Sequence, residues 1–330
     1  MSLPFHLSMQ VVAFIICFVL ALIVGPLTIP ALTRLKFGQT VRDDGPSSHF
    51  KKTGTPTMGG VIFLIPMLVF SIYYAAQDKR ILPLVFVTVG FGLIGFIDDY
   101  IKVVKRRKDG LYPHQKMIGL LLIATSFAFY IDRYTDVGTD IIVPFLGMDT
   151  TFNLAWLFIP FTIFVIIALT NAVNITDGLD GLAASVTLTV MIFFTVAAMT
   201  RNEWDYISIF SAIIAGGCLG FLVFNVHPAR VFMGDTGSLA LGGAVAAIAV
   251  MMKMPLFILI VGIIYVLENL SVVLQVGSFK LRGKRIFKMA PIHHHFELSG
   301  WKETKVVRVF LTTTILCCIL GLIALRVRFF

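Results

Sequence analysis

Apolar stretches close to the length of a bilayer crossing follow one another along nearly the whole chain, and no other feature restricts the fold as much. A membrane-spanning helix needs roughly 20 consecutive apolar residues, and the runs here reach that length repeatedly. Most are apolar all round, whereas a helix on a soluble core carries a polar face. Soluble domains hold about 25% charged residues; in this chain 14% are charged and 58% are hydrophobic. The expected fold is therefore an all-α polytopic membrane protein in one domain, 1–330.

Ten spans are predicted, over about 9–33, 57–76, 81–97, 116–131, 154–172, 181–200, 206–225, 238–252, 255–277 and 306–325. The first ten residues lack Lys and Arg, so the first apolar run reads as a retained helix rather than a signal peptide. The four cysteines all lie inside apolar runs with no metal-type or disulfide spacing, and they read as small packing or lipid-facing residues.

A net charge of +9 raises the question of nucleic acid, but the basic residues lie in loops between apolar runs. There they set membrane orientation. Loops after the odd-numbered spans hold nineteen Lys and Arg against seven on the other side, with Arg308 inside the last span. The first set of loops is expected to be cytoplasmic and both termini to face outward. On the outer side Asp132–Thr151 has the punctuation of a small hairpin.

The unusual polar clusters fall in the cytoplasmic set. Asp98 and Asp99 end the third apolar run, where adjacent carboxylates repel and resist desolvation. Either a hydrated helix end, with Asp98 and Lys102 as an i,i+4 pair, or a Mg²⁺ or lysine site would account for them. Asn174, Asp177 and Asp180 punctuate a loop free of Lys and Arg, in which Gly178 and Gly181 permit close approach of a bulky ligand. Asp235 sits in a Gly-rich stretch before an apolar helix, suiting an oxygen-preferring cation beside phosphate-binding N–H groups. His293, His294 and His295 are consecutive, so their side chains diverge. They suit hydrogen bonds to phosphate or sugar better than a shared zinc ion. Together these clusters resemble the equipment for a Mg²⁺ diphosphate, and no GxxxxGK[ST] loop accompanies them.

The segments FIDDYIKV, NAVNITDGLDGLA, FNVHPARVFMGDTGS and PIHHHFELSGWKE, with TPTMGG after the first span, closely resemble the polyprenyl-phosphate N-acetylhexosamine-1-phosphate transferases. The triple-His segment is similar to the muramoyl-pentapeptide branch of that superfamily. The resemblance implies ten helices with periplasmic termini, the ninth broken beside a groove for the lipid carrier, and a homodimer in the bacterial inner membrane. It implies Mg²⁺-dependent transfer of phospho-MurNAc-pentapeptide from its UDP carrier to undecaprenyl phosphate at the cytoplasmic face, with no nucleic-acid partner.

Carried over to this sequence, the resemblance makes Asp235 the Mg²⁺ ligand, Asp98 the candidate base, and Asp99 a group that shapes the site or assists the metal. Lys102 and Lys116 would neutralise phosphate charge. Asn174, Asp177, Asp180 and Asn225 would organise the nucleotide-sugar side, and Gly178, Leu179, Phe232 and Gln275 would line the uridine pocket. His293, His294 and His295 would contact phosphate or sugar, and Lys51 or Lys52 the nucleotide. A UDP-GlcNAc-dependent relative would share the aspartates but lack the PIHHHFELSGW segment. A secondary transporter would need ionisable groups near span centres, whereas those here are expected at cytoplasmic ends.

Overall fold

A computed structural model describes residues 8–34, 54–105, 107 and 110–326. The chain forms helices α1 (Met9–Arg34), α2 (Val61–Ala75), α3 (Leu82–Val104), α4 (Pro113–Tyr134), α5 (Phe158–Thr176), α6 (Leu182–Ala198), α7 (Asp205–Asn225) and α8 (Gly234–Met251). These are followed by α9 (Ile258–Val261), α10 (Ile263–Arg282), α11 (Ile292–Glu297) and α12 (Glu303–Ala324). Among the described residues eight helical segments are long and apolar enough to cross a membrane, and α2 and α6 are shorter apolar helices. The protein is a polytopic membrane protein.

Small residues decide which helix lies at the centre. Helix α8 is built largely of Gly, Ala and Val and is surrounded by α3, α5, α6 and α2. Gly95 on α3 lies directly against the backbone carbonyl of Asp235, and Gly242 on α8 lies against the backbone of Thr170 on α5. A side chain at either glycine would collide with main chain, so these contacts set interhelical distances that larger residues forbid. Helices α1, α7 and α6 build out one flank, α12 packs on α6, and α10 leans on α5. A 2.7 Å hydrogen bond between Thr187 and Tyr265 ties α6 to α10 inside the protein.

The Asp132–Thr151 segment forms the hairpin its punctuation suggested. Strands β1 (Asp140–Ile142) and β2 (Thr151–Asn153) pair antiparallel, with Ile141 opposite Phe152. Ile142 N–H donates to the Lys253 carbonyl, and Arg201 meets Asp149 at 2.7 Å, so this end is laced together.

Several predicted limits move, each for a local reason. The third run does not end at residue 97: α3 continues to Val104, because Lys102 pairs with Asp98 one turn on. Helix α8 begins at Gly234 rather than 238, since a carboxylate from α3 caps its first N–H groups. The ninth apolar run is divided at Gly262 into α9 and α10, and α10 extends five residues past the predicted end. All four cysteines are free thiols, three of them buried.

Candidate active site

The centre is assembled where the C-terminal part of α3 crosses the N-terminus of α8. Asp98 and Asp99 are 2% and 3% exposed, so neither is a hydrated helix end. Both nevertheless find partners, as buried carboxylates must. Asp99 accepts from the backbone N–H groups of Asp235 (3.2 Å) and Thr236 (2.9 Å) and from the Thr236 hydroxyl (2.7 Å). It therefore caps α8 from another helix, an arrangement favoured by the positive end of the helix dipole. Gly234, in the left-handed region at φ +73°, starts that helix with no side chain to strike the Asp99 carboxylate.

Asp98 faces the other way. Its Oδ1 accepts from Leu111 N–H at 2.6 Å, and its Oδ2 lies 2.7 Å from the Lys102 ammonium. The same ammonium donates to Asp235 Oδ2 at 2.8 Å, and Lys116 donates to that oxygen at 2.9 Å. The remaining Asp235 oxygen accepts from the Asn174 amide at 2.7 Å, and that amide also donates to Ser238 Oγ at 2.8 Å. Lys102, Lys116, Asn174, Asp98 and Asp235 thus meet at one point although they come from four helices.

Asp177 follows α5 directly and adds a further carboxylate. Removal from water, then the neighbouring Asp235 and Asp99 charges, push its carboxyl well above the usual range, while the Gly234 N–H opposes the shift. Among the described residues Asp98, Asp99 and Asp235 stand beside the two ammonium groups of Lys102 and Lys116, so carboxylates outnumber cations there. Mg²⁺ prefers oxygen donors and takes one or two protein carboxylates together with substrate phosphates and water. Asp235, already turned toward two cationic groups and offering oxygens only, fits that description.

The other predicted residues divide. Asp180 accepts from Ala229 N–H (3.1 Å) and lies 3.0 Å from His227 Nδ1, which is 3.5 Å from Glu303. Glu303 in turn accepts from the Asp180 N–H at 2.7 Å. Among the described residues this is where three possible metal-ligand atoms gather within 4.8 Å. It clasps the loop before α6, the loop before α8 and the start of α12. Asn225 accepts from Gly181 N–H and donates to the Val231 carbonyl, bracing the same loops from a buried position. Leu179 is buried; Phe232 is half-buried, its backbone paired with Pro56 and Gly59. Gln275 holds the loop after α10 by bonds to Ile286, Phe287 and the Phe287 carbonyl.

The three histidines take separate partners, but they do not all diverge as expected: the rings of His293 and His294 lie 4.2 Å apart. His293 is buried, with Nδ1 3.0 Å from Glu268 and its ring pressed against Gly178. His294 lies 2.9 Å from Glu297, and His295 accepts from Lys288 N–H at 3.2 Å. Lys51 and Lys52 lie outside the described residues. Sequence reasoning missed Glu268, Glu303, His227 and Ser238. Glu268 had a signal, being a lone carboxylate within an apolar run, and it contradicts the expectation that all ionisable groups sit at span ends.

The glycosyl transferase family 4 model matches residues 81–253, more than half the chain and the whole of the carboxylate centre, leaving α10, α11 and α12 outside it. The first signature of the phospho-N-acetylmuramoyl-pentapeptide-transferases matches residues 52–64. The transferase of that name from Acetivibrio thermocellus is 69% identical over 100% of this chain and 99% of its own. Those from Clostridium novyi and Thermoanaerobacter pseudethanolicus are 52% and 50% identical, covering 97% and 96% of this chain and 98% of each relative. A polytopic membrane protein with these matches is a family 4 phosphoglycosyl transferase. Within that class the chain belongs to the phospho-N-acetylmuramoyl-pentapeptide-transferases, as its aspartate and triple-His segments implied.

Proposed function

We propose that the Asp98–Lys102–Lys116–Asp235 cluster is where this chain moves phospho-MurNAc-pentapeptide from UDP-MurNAc-pentapeptide to undecaprenyl phosphate, giving lipid I and UMP. One observation carries the assignment: carboxylates from α3 and α8 converge on a shared ammonium at 2.7 and 2.8 Å, beside a second lysine. Paired cations next to a carboxylate that prefers a metal are what two phosphate-bearing substrates require.

An oxygen of the lipid phosphate attacks the sugar-bearing phosphorus, the new P–O bond forms, and the bond to UMP breaks with UMP leaving as its phosphate. A phosphate monoester carries close to two negative charges near neutral pH, so the nucleophile needs little help from a base. Asp98 then serves chiefly to hold Lys102 in place, and Asp99 fixes the height of Asp235 by capping α8. Lys102 and Lys116 neutralise phosphate oxygens, and Asn174 orients Asp235. Mg²⁺ bound at Asp235 would spread the charge that develops on the transferring group. The turn 174–181 and His293 to His295 take the nucleotide-sugar side, with Phe232 as a face for the base and Gln275 and Asn225 bracing the loops around it.

The same reading makes the chain a single transferase domain of ten crossings in the bacterial inner membrane, both termini periplasmic, the cluster cytoplasmic, and two copies as a homodimer. Support comes from the loop charges and from the long exposed face of α10 below the Gly262 break, where a lipid chain could lie. Incubation with UDP-MurNAc-pentapeptide, undecaprenyl phosphate and Mg²⁺ should release UMP and form lipid I. No UMP release under those conditions would sink the assignment. Labelled phosphosugar trapped on the protein without acceptor would replace direct attack by a phospho-enzyme route.

A further inference from the structure

Glu268 is fully buried midway along the ninth apolar stretch, where a carboxylate is costly and calls for a function. Its Oε1 lies 3.0 Å from Nδ1 of His293, itself 1% exposed. The pair is only half satisfied: Glu268 Oε2 and His293 Nε2 are both buried, and neither has a hydrogen-bond partner among the described residues. A pair kept for stability alone would have its remaining atoms bonded, since a half-satisfied polar network is worse than an apolar filling.

The far side of the His293 ring gives the direction of the argument. Nε2 abuts Gly178 so closely that a β-carbon there would overlap the ring. Gly178 directly follows Asp177 in the turn after α5, four residues from Asn174, which holds Asp235. A line of contacts therefore runs from α10 through the imidazole to the turn beside the reacting centre. His294 stands next to it, 4.2 Å ring to ring, with its own carboxylate partner Glu297.

We propose that Glu268 is a positioning residue for the donor side of the site: it keeps a proton on Nδ1 of His293 and so turns Nε2 onto the Gly178 turn. In this arrangement Nδ1–H donates to the Glu268 oxygen 3.0 Å away, and the ring cannot flip without abandoning that bond. This is the way a carboxylate behind a histidine fixes tautomer and ring orientation at many functional sites. The inference rests on the assignment of the 174–181 turn and His293 to the nucleotide-sugar side.

The test combines kinetics with a spectroscopic reading. Glu268→Leu is expected to raise KM for UDP-MurNAc-pentapeptide about tenfold, the value of roughly one lost hydrogen bond to a charged group, and to leave KM for undecaprenyl phosphate unchanged. Glu268→Gln, which retains an acceptor oxygen, should stay within about threefold of the native donor KM, below half of one such bond. Loss of folded protein alone would lower turnover with both KM values intact. In the ¹⁵N-histidine spectrum of the unaltered protein, with His293→Gln as the assignment control, Nδ1 of His293 should be of the protonated, pyrrole type. A pyridine-type Nδ1, or native donor KM in Glu268→Leu, overturns the proposal. So does a Gln variant as impaired as the Leu one. Should the Leu variant not fold, the native spectrum and the Gln kinetics still decide. His293→Ala separates the two levels of inference. If it is fully active, the site assignment itself fails; if it is impaired while Glu268→Leu is native-like, only the positioning role fails.

Discussion

Helices α8 and α10 both carry a carboxylate toward the same centre, yet they are opposite kinds of helix. The spanning window of α8 is 89% buried, that of α10 only 22%. Helix α8 is built mostly of small residues and lets α3 approach to backbone contact at Gly95, whereas α10 turns Leu and Val outward and has just Ile264, Tyr265, Glu268 and Ser271 buried. The difference teaches where exactness of placement comes from. Asp235 is fixed by main chain packed on main chain; Glu268 acts at a distance, through an imidazole.

The largest effect expected from breaking this contrast is at Asp235 itself. Asp235→Asn keeps the shape but gives up the charge that Lys102, Lys116 and a cation require, and UMP release should fall by about a thousandfold. Ordinary turnover at standard Mg²⁺ would remove Asp235 from the centre. Next comes the packing: Gly95→Leu drives a side chain into the Asp235 carbonyl and should cost about 1–3 kcal/mol, seen as a lower melting temperature with activity lost in proportion or more.

Leu241→Ser and Leu281→Ser give the sharpest side-by-side test. Leu241 on α8 is fully buried and Leu281 on α10 is 85% exposed. The first should cost about 2–5 kcal/mol, like other losses of a buried leucine, and the second about 0.5 kcal/mol or less, both read from thermal unfolding in one detergent. Equal losses would erase the distinction between the two helices.

The smallest effect concerns Asp177. Its raised carboxyl means that ionising it costs stability, so its favourable contribution is complete below its unfolded-state pKa and is lost as pH rises through the folded one. With Mg²⁺ chelated, Asp177→Asn should melt slightly higher than the native protein near neutral pH, and the gap should close on acidification. A gap that widens at low pH would reverse the sign of this assignment.

Much of this was legible beforehand, and the exceptions have physical causes. The apolar runs announce the helices because hydrophobic length is a local property, and Asp98, Asp99 and Asp235 stand out because carboxylates near apolar helices need a reason. The limit at 238 was misplaced because it is set by a partner distant in sequence, Asp99 starting α8. The limit at 97 was misplaced because the apolar run stops there although the helix does not, the local i,i+4 pair of Asp98 with Lys102 carrying α3 onward. The split between Asp98 and Asp99, one facing lysine and the other facing N–H groups, was likewise invisible to residue type. Glu268 was visible but passed over, since a lone glutamate carries no motif. The Asp180–His227–Glu303 clasp depends on three loops that only the folded chain brings together.

The bonds from Asp99 to the first turn of α8 have a consequence for how such a site can change. They lock two helices in register along the membrane normal, so Asp98 and Asp235 rise or sink together, like marks on one ruler. Sliding α8 to suit a different donor would tear that register apart at a buried carboxylate. Variation in what the site accepts is therefore left to the α10, α11 and 174–181 side, where side chains rather than main chain set the spacing.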